Sequence, residues 1–527
     1  MKTTRIAALL LAGLLTQSLA PALTLDVRDC GAIGDGSHLD TQAIQTAIDR
    51  CATAGGGTVL LQTGRFLSGT IHLKSRVTLL IQSGATLLGS TNLADYPRTI
   101  PALRSYTDNY VNQSLIAGEN LDHIGLAGQG LIDGQGAAFP RDPAHPYENR
   151  PYLIRLVNCR DVQVEGLRLQ NAAMWMQHYL ACERVRLRGL QVRNFGNANN
   201  DALDLDGCND CLVSQCVFES DDDAITLKST LDRPAESITI SDCIARSHCN
   251  AIKLGTESNG GFKNITIANC VITSPAETNI IYGRPRGTSG ISLELVDGGR
   301  LERIAINNLT IHGVTVPLFL RLGNRARPFQ KDLPAPPIGT FQDVLINNVV
   351  ATDVGTIGCS ITGLPGHPIE NVLLSNLAFT FEGGGTREHA AVQVPELPKQ
   401  YPESIMFGRL PAYGFFARHV TGLRFSNLSL RTSTPDLRHA FLCDDVQNLA
   451  LAGLDAQFSR GAAPLLKLLN VRRALITACQ PRAADGTFVQ LAGDSTRNIA
   501  LTANDLSAVG RPLDLAPEVP ENSVTLK

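Results

Sequence analysis

Ser237-Ile238-Thr239-Ile240-Ser241-Asp242-Cys243-Ile244 returns 27 residues later as Asn264-Ile265-Thr266-Ile267-Ala268-Asn269-Cys270-Val271, an alternating apolar run followed by a polar corner. The same unit stands at Val162–Val164, Val185–Leu187, Cys211–Val213, Ile304–Ile306, Val344–Ile346, Val372–Leu374, Leu423–Phe425, Leu449–Leu451 and Ile499–Leu501, with a weaker copy at Ala474–Ile476, at intervals of 23 to 51 residues. Period-two alternation marks half-buried strands, and nothing within the unit has helical spacing. A leucine-rich repeat has a similar period, but its Leu-rich consensus is absent. The pattern predicts an all-β fold, a single-stranded, right-handed parallel β-helix in which each coil buries its inward side chains on the next. Longer intervals are then coils carrying inserted loops, which gather on one face and often bind ligands.

Two consecutive coils place acids just before their strands: Asn199-Asn200-Asp201-Ala202-Leu203-Asp204-Leu205 and Asp221-Asp222-Asp223-Ala224-Ile225-Thr226-Leu227-Lys228. The next coil reads Asn250-Ala251-Ile252-Lys253-Leu254. Aligned on Ala-(Leu/Ile), the three coils put Asp201, Asp223 and Asn250 at one position, with Asp222 beside them. Parallel strands lie about 4.8 Å apart, so these carboxylates share a site. Such crowding raises at least one carboxyl's pKa and lets one group donate a proton while its neighbour stays ionised. A solvated loop or a calcium site is the bland alternative for such a cluster.

The 527 residues carry 43% hydrophobic residues and a formal net charge of −3, enough apolar content for one continuous solenoid core and no bulk charge that favours nucleic acid. Lys2 and Arg5 precede the apolar run Ile6–Leu15 and the small-x-small sequence Ala20-Pro21-Ala22, which predicts an export signal over residues 1–22 and a secreted or periplasmic domain over 23–527. The apolar run is too short to span a membrane. A capping element is expected over about 23–75: Asp40 would cap a helix burying Ala43, Ile44, Ala47, Ile48 and Cys51, which Gly55-Gly56-Gly57 stops. Cys216, Cys243 and Cys270 recur at the repeat period and read as a core stack. Cys30 and Cys51 could bridge in an oxidising compartment, and Cys208-Asn209-Asp210-Cys211 lacks the second half of a zinc site. No metal or other cofactor is expected, and the chain is read as a monomer.

The opening Asp29-Cys30-Gly31-Ala32-Ile33-Gly34-Asp35-Gly36, the helix Ala43-Ile44-Gln45-Thr46-Ala47-Ile48-Asp49, Gly55-Gly56-Gly57-Thr58-Val59, and the acids of Asn199-Asn200-Asp201 and Asp222-Asp223 together resemble glycoside hydrolase family 28, the polygalacturonases and rhamnogalacturonan hydrolases. The likeness runs from about Leu25 to Thr310. It implies hydrolysis of an acidic, galacturonate-containing polysaccharide or oligosaccharide with inversion, with Asp222 as general acid and Asp201 and Asp223 as the water-binding base pair. Two departures stand out. Asn250-Ala251 replaces the family's His-Gly, and the coil nearest its Arg-Ile-Lys reads Ser292-Leu293-Glu294. These changes point to an exo-acting or rhamnogalacturonan-type member.

The candidate substrate-binding residues are His178, Lys228, Asn250, Lys253, Arg284 and Arg286. His178 lies one coil before Asp201. Lys228 and Lys253 alternate with inward apolar residues and so point outward beside the acids, either to pair a substrate carboxylate or to neutralise Asp204 and Asp206. Arg284 and Arg286 would replace the missing cations, since arginine grips a carboxylate bidentately. Arg321, Arg325 and Arg327 read as a solvated loop. With 5% aromatic residues and one tryptophan, recognition by charge is favoured over stacking on neutral sugars. The insertion Val394–Tyr413 would narrow the cleft or merely pack on the flank. Two other classes stay open: a calcium-dependent polysaccharide lyase, and a solenoid that binds glycan without cleaving it.

Overall fold

The computed structural model describes residues 23–109, 111–145, 147–277, 281–481 and 483–526, and the expected export signal over residues 1–22 lies outside them. The chain forms a right-handed parallel β-helix, and every pairing between its strands is parallel. The repeat units form one row: Val162 pairs with Val185, Ile238 with Ile265, Ile265 with Ile304, Ile304 with Val344, Val344 with Val372 and Val372 with Leu423. All are buried, so the alternation seen in the sequence is the inward column of one sheet. Truncating one of these side chains to alanine would cost about 2–5 kcal/mol, because both neighbouring coils hold the space open.

Three strand stacks make the walls. One carries the repeat row. A second runs through Arg168–Gln170, Gln191–Asn194, Val217–Ser220 and Ile244–Ser247. The third runs through Tyr152–Val157, Gln177–Leu180, Asp204–Asp206, Ile225–Ser229, Asn250–Ser258, Gly287–Leu295 and Val314–Leu322, and it carries the acids. Cys216, Cys243 and Cys270 are buried within the core, as their spacing predicts.

The helix Thr41–Thr53 covers the first coil and buries Ala43, Ile44, Ala47, Ile48 and Cys51, the predicted face. Asp40 stands at its N-cap position but makes no capping bond. Its carboxylate instead accepts from the backbone N–H groups of Ile33 (2.8 Å) and Gly34 (2.9 Å), tying the preceding loop to the cap. The Cys30–Cys51 bridge is not formed. Arg50 Nη1 donates to Cys30 Sγ at 3.4 Å, the Cys51 thiol faces the Thr58 carbonyl at 3.7 Å, and both cysteines are free.

The long insertion before the strand Ala412–Thr432 packs on the third stack. Arg418 donates to the carbonyls of Val394 (2.6 Å) and Pro395 (2.9 Å), and Arg321 to those of Glu396 (2.6 Å) and Leu397 (3.1 Å). Beneath it, Phe407 and Leu410 join Val316, Phe319 and Phe416 in a small apolar cluster. The insertion therefore borders the acid-bearing face.

Candidate active site

Register alone brings the acids together. Asp204 pairs with Thr226 and Leu205 with Leu227, which carries Asp201 to the level of Asp223; Ile225 pairs with Ile252, which adds Asn250. The backbone fixes this alignment, because Ala202 N–H donates to the Asp223 carbonyl and Ala224 N–H to the Asn250 carbonyl, each at 3.0 Å. One oxygen from each of Asp201, Asp222 and Asp223 lies within 4.8 Å of the others.

Cations divide the trio unequally. Lys228 Nζ stands 3.3 Å from Asp201 and 3.3 Å from Asp204, and Lys253 Nζ stands 3.1 Å from Asp223. Asn250 adds its backbone N–H (3.0 Å) and its side-chain amide (2.8 Å) to Asp223 Oδ1. Asp222 has no cation within ion-pair distance among the described residues; the Tyr282 hydroxyl donates to its Oδ2 at 2.8 Å. Burial and the adjacent Asp223 push the Asp222 carboxyl up to about 6, against the pull of Tyr282 and the two lysines. Burial, with Asp204 and Asp222 adding to it, also drives Asp201 upward against Lys228, and burial lifts Asp204 to about 7. The cluster thus retains protons at mildly acidic pH, and Asp222 is the member without an ion-paired partner.

The trio lines a cavity of about 260 Å³ together with Trp175, Lys228, Glu257, Arg325, Arg327 and Tyr401. Arg325 and Arg327, read from sequence as a solvated loop, are cleft residues. Arg327 pairs with Glu257 at 2.7 Å and reaches the Tyr106 hydroxyl at 2.6 Å; Arg325 Nε donates to Asp297 at 2.9 Å. Burial alone would raise Glu257, but Lys228, Arg327 and Arg325 outweigh it and hold the carboxyl well below the usual range. Lys228 also lies 4.5 Å from the centre of the Trp175 ring, a cation–π contact. No local motif marks Arg325, Arg327 or Tyr401. Only the outward alternation of their neighbours and the length of the two loops could have signalled them.

Several predicted contacts are corrected. His178 is fully buried, bonded through Nε2 to Asp206 at 3.1 Å and packed against Tyr152 and Trp175, because all four residues of its strand, Gln177–Leu180, are buried. It supports the wall and has no exposed surface. Asn250 is equally buried and serves Asp223. Arg286 turns away from the cleft to pair with Asp353 (3.1 Å) and Glu382 (3.3 Å) on neighbouring coils. Arg284 remains exposed at the rim, 3.4 Å from Thr288 Oγ1. Lys253 is 2% exposed and shared between Asp223 and Glu294 (3.7 Å), so it tunes a carboxylate and is not a free grip on substrate.

A family model described as Glycosyl hydrolases family 28 matches residues 51–390, which include all three acids. A "Probable polygalacturonase" of Vitis vinifera is 30% identical over 215 residues, 39% of this chain and 44% of the relative. An "Exo-poly-alpha-D-galacturonosidase" of Dickeya chrysanthemi is 26% identical over 270 residues, 42% of this chain and 44% of the relative. The chain thus spans less than half the length of either. Among solved structures, a family 28 exopolygalacturonase from Yersinia enterocolitica aligns with a TM-score of 0.61 at 18% identity, covering 83% of this chain and 79% of the other, which shows the shared fold.

Proposed function

The chain belongs to glycosyl hydrolase family 28, and on that premise we propose that it hydrolyses glycosidic bonds of galacturonate-containing pectic chains. The observation that carries the roles is the division of cations. Asp201 and Asp223 each have a lysine within 3.3 Å, whereas Asp222 has no cation and is held by two neutral donors, the Tyr282 hydroxyl and the Asp223 N–H. An ammonium stabilises a carboxylate, so Lys228 favours the ionised form of Asp201 against the burial and neighbouring acids that raise it, and Asp222, without a cation, suits the proton-donating role. Asp222 gives its proton to the glycosidic oxygen as the bond to the anomeric carbon breaks. A water held between Asp201 and Asp223 attacks that carbon and passes its proton to one of them.

Attack by water inverts the anomeric centre, and the family likeness favours that outcome. Acid and base flanking a water usually stand about 6.5–9.5 Å apart, whereas these carboxylate oxygens approach within 4.8 Å; a nucleophilic, retaining mechanism is therefore the second reading. Calcium-dependent elimination fits less well, since a lysine already neutralises each of Asp201 and Asp223. Action at chain ends is proposed from Tyr401, which the insertion brings to the cavity. Arg325 and Arg327, which line the cavity although paired with Asp297 and Glu257, and the exposed Arg284 are the cations proposed to meet a substrate carboxylate. Export, proposed from the basic-then-apolar start of the chain, would bring the enzyme to polymers outside the cytoplasm.

Product analysis on polygalacturonan, oligogalacturonides and a rhamnose-containing pectic backbone tests this reading. New saturated reducing ends support it. A calcium-dependent, ultraviolet-absorbing unsaturated product would select a lyase, and binding without products would select a non-catalytic solenoid.

A further inference from the structure

The run Asp221-Asp222-Asp223 holds three carboxylates, and the mechanism above uses two of them. Asp221 points away from the cleft and is fully buried. Its Oδ1 accepts from His248 Nδ1 at 2.7 Å, and its Oδ2 accepts from the backbone N–H groups of Ile281 (2.9 Å) and Tyr282 (3.3 Å). Donors to an ionised carboxylate make strong, short bonds, and here they hold a turn that belongs to no strand. That turn delivers the Tyr282 hydroxyl to Asp222.

The phenol is set by two partners. Asn199 N–H donates into its oxygen, so the single phenolic proton is directed to Asp222 Oδ2. Asp223 N–H donates to the other Asp222 oxygen at 2.9 Å. Both oxygens of Asp222 are thereby engaged, and the carboxyl plane is fixed with respect to the cavity. Burial and Asp222 hold the Tyr282 phenol above its ordinary range, so it remains a donor throughout the working pH.

We propose that Tyr282 is the positioning residue of the catalytic acid, and that Asp221 acts through it by clamping the turn that carries the phenol. The inference rests on the reading of Asp222 as proton donor. The other groups facing Asp222 are Asp201, Asp223, Glu403, Cys249, Lys228 and Lys253. None of them is removed by changes at Tyr282 or Asp221. A hydrogen bond donated to the ionised form stabilises that form, so loss of the phenol must raise the pKa of Asp222.

The test is the pH dependence of kcat for Tyr282→Phe, Asp221→Asn and the double variant on an oligogalacturonide. Tyr282→Phe is expected to lower kcat about tenfold, change KM less than about twofold, and move the alkaline limb up by about one pH unit. Asp221→Asn should move the limb in the same direction, and the double variant should fall no further than Tyr282→Phe alone. An unmoved limb in Tyr282→Phe, or a change confined to KM, overturns the proposal. If Asp221→Asn does not fold, the Tyr282→Phe profile decides by itself. Asp222→Asn run alongside separates the two failures. A folded, active Asp222→Asn overturns the acid assignment, while an inactive one beside an unaltered Tyr282→Phe overturns only the positioning role.

Discussion

Lys253 Nζ lies 3.4 Å from the hydroxyl of Tyr401, although 148 residues separate them in the chain. The contact joins the acid-bearing strand stack to the insertion beyond the family match, and a second tie, Ser404 Oγ to the Thr288 carbonyl at 3.0 Å, fixes it nearby. Tyr401 so held lines the cavity, and the proposed action at chain ends rests on it. Wild-type enzyme is expected to release monomer from polygalacturonan at nearly constant viscosity. Tyr401→Ala should shift the balance toward internal cleavage, seen as a faster viscosity drop per reducing end formed. A rapid drop with the wild-type protein would remove the chain-end reading.

The stereochemical outcome is open to direct observation. With water delivered by Asp201 and Asp223, proton NMR in early turnover should show the first-formed anomer inverted relative to substrate. Retention, or a trapped glycosyl-enzyme, would instead assign one of these aspartates as nucleophile, the outcome that the close spacing of the trio would otherwise favour.

Buried carboxyls tie stability to pH. Burial pushes Glu294 up to about 8, opposed by Lys253, from an unfolded value of about 4.3. Between those values the folded state holds a proton that the unfolded state lacks, so stability falls as pH rises through the window, by at most about 1.4 kcal/mol per pH unit for this group. Thermal unfolding should show a midpoint declining from pH 5 to 8, and Glu294→Gln should flatten that decline. An unchanged slope in the variant would remove Glu294 as its source.

The cations of the cleft can be separated by substrate. Arg325→Ala and Arg327→Ala are expected to raise KM for oligogalacturonides about tenfold or more, since a charge-assisted pair contributes about 1.5–3 kcal/mol. Arg286→Ala should leave KM within about twofold, because that side chain is engaged on the outer coils. KM values for all three variants on one oligogalacturonide series check this, and a large effect confined to Arg286→Ala would contradict the assignment.

The solenoid was legible because each coil repeats the same inward alternation, and a buried column needs no partner beyond the next copy of itself. The trio was legible for the same reason: Asp201 and Asp223 precede matching apolar pairs, so register follows from alignment. Alternation also put Lys228 and Lys253 beside the acids, but it could not show that Asp201, Asp204 and Glu257 saturate one and Asp223 and Glu294 the other. Arg325, Arg327, Tyr282 and Tyr401 arrive on loops between coils, where no period fixes direction. The engagement of Arg286 was not legible because its partners, Asp353 and Glu382, come from coils 67 and 96 residues away. His178 looked like a cleft residue from its coil, but its strand is buried along its whole length.

Asp222→Asn is the most direct test of the catalytic account. The substitution keeps size and hydrogen-bonding capacity but removes the transferable proton, and proton donation by a placed acid contributes about 10²–10⁴ in rate. The decisive measurement is kcat of this variant on an oligogalacturonide, with folding verified by circular dichroism and the thermal midpoint. A folded protein with kcat lowered by two or more orders of magnitude is the predicted result; a folded protein with near wild-type kcat would contradict the assignment of Asp222 as the acid.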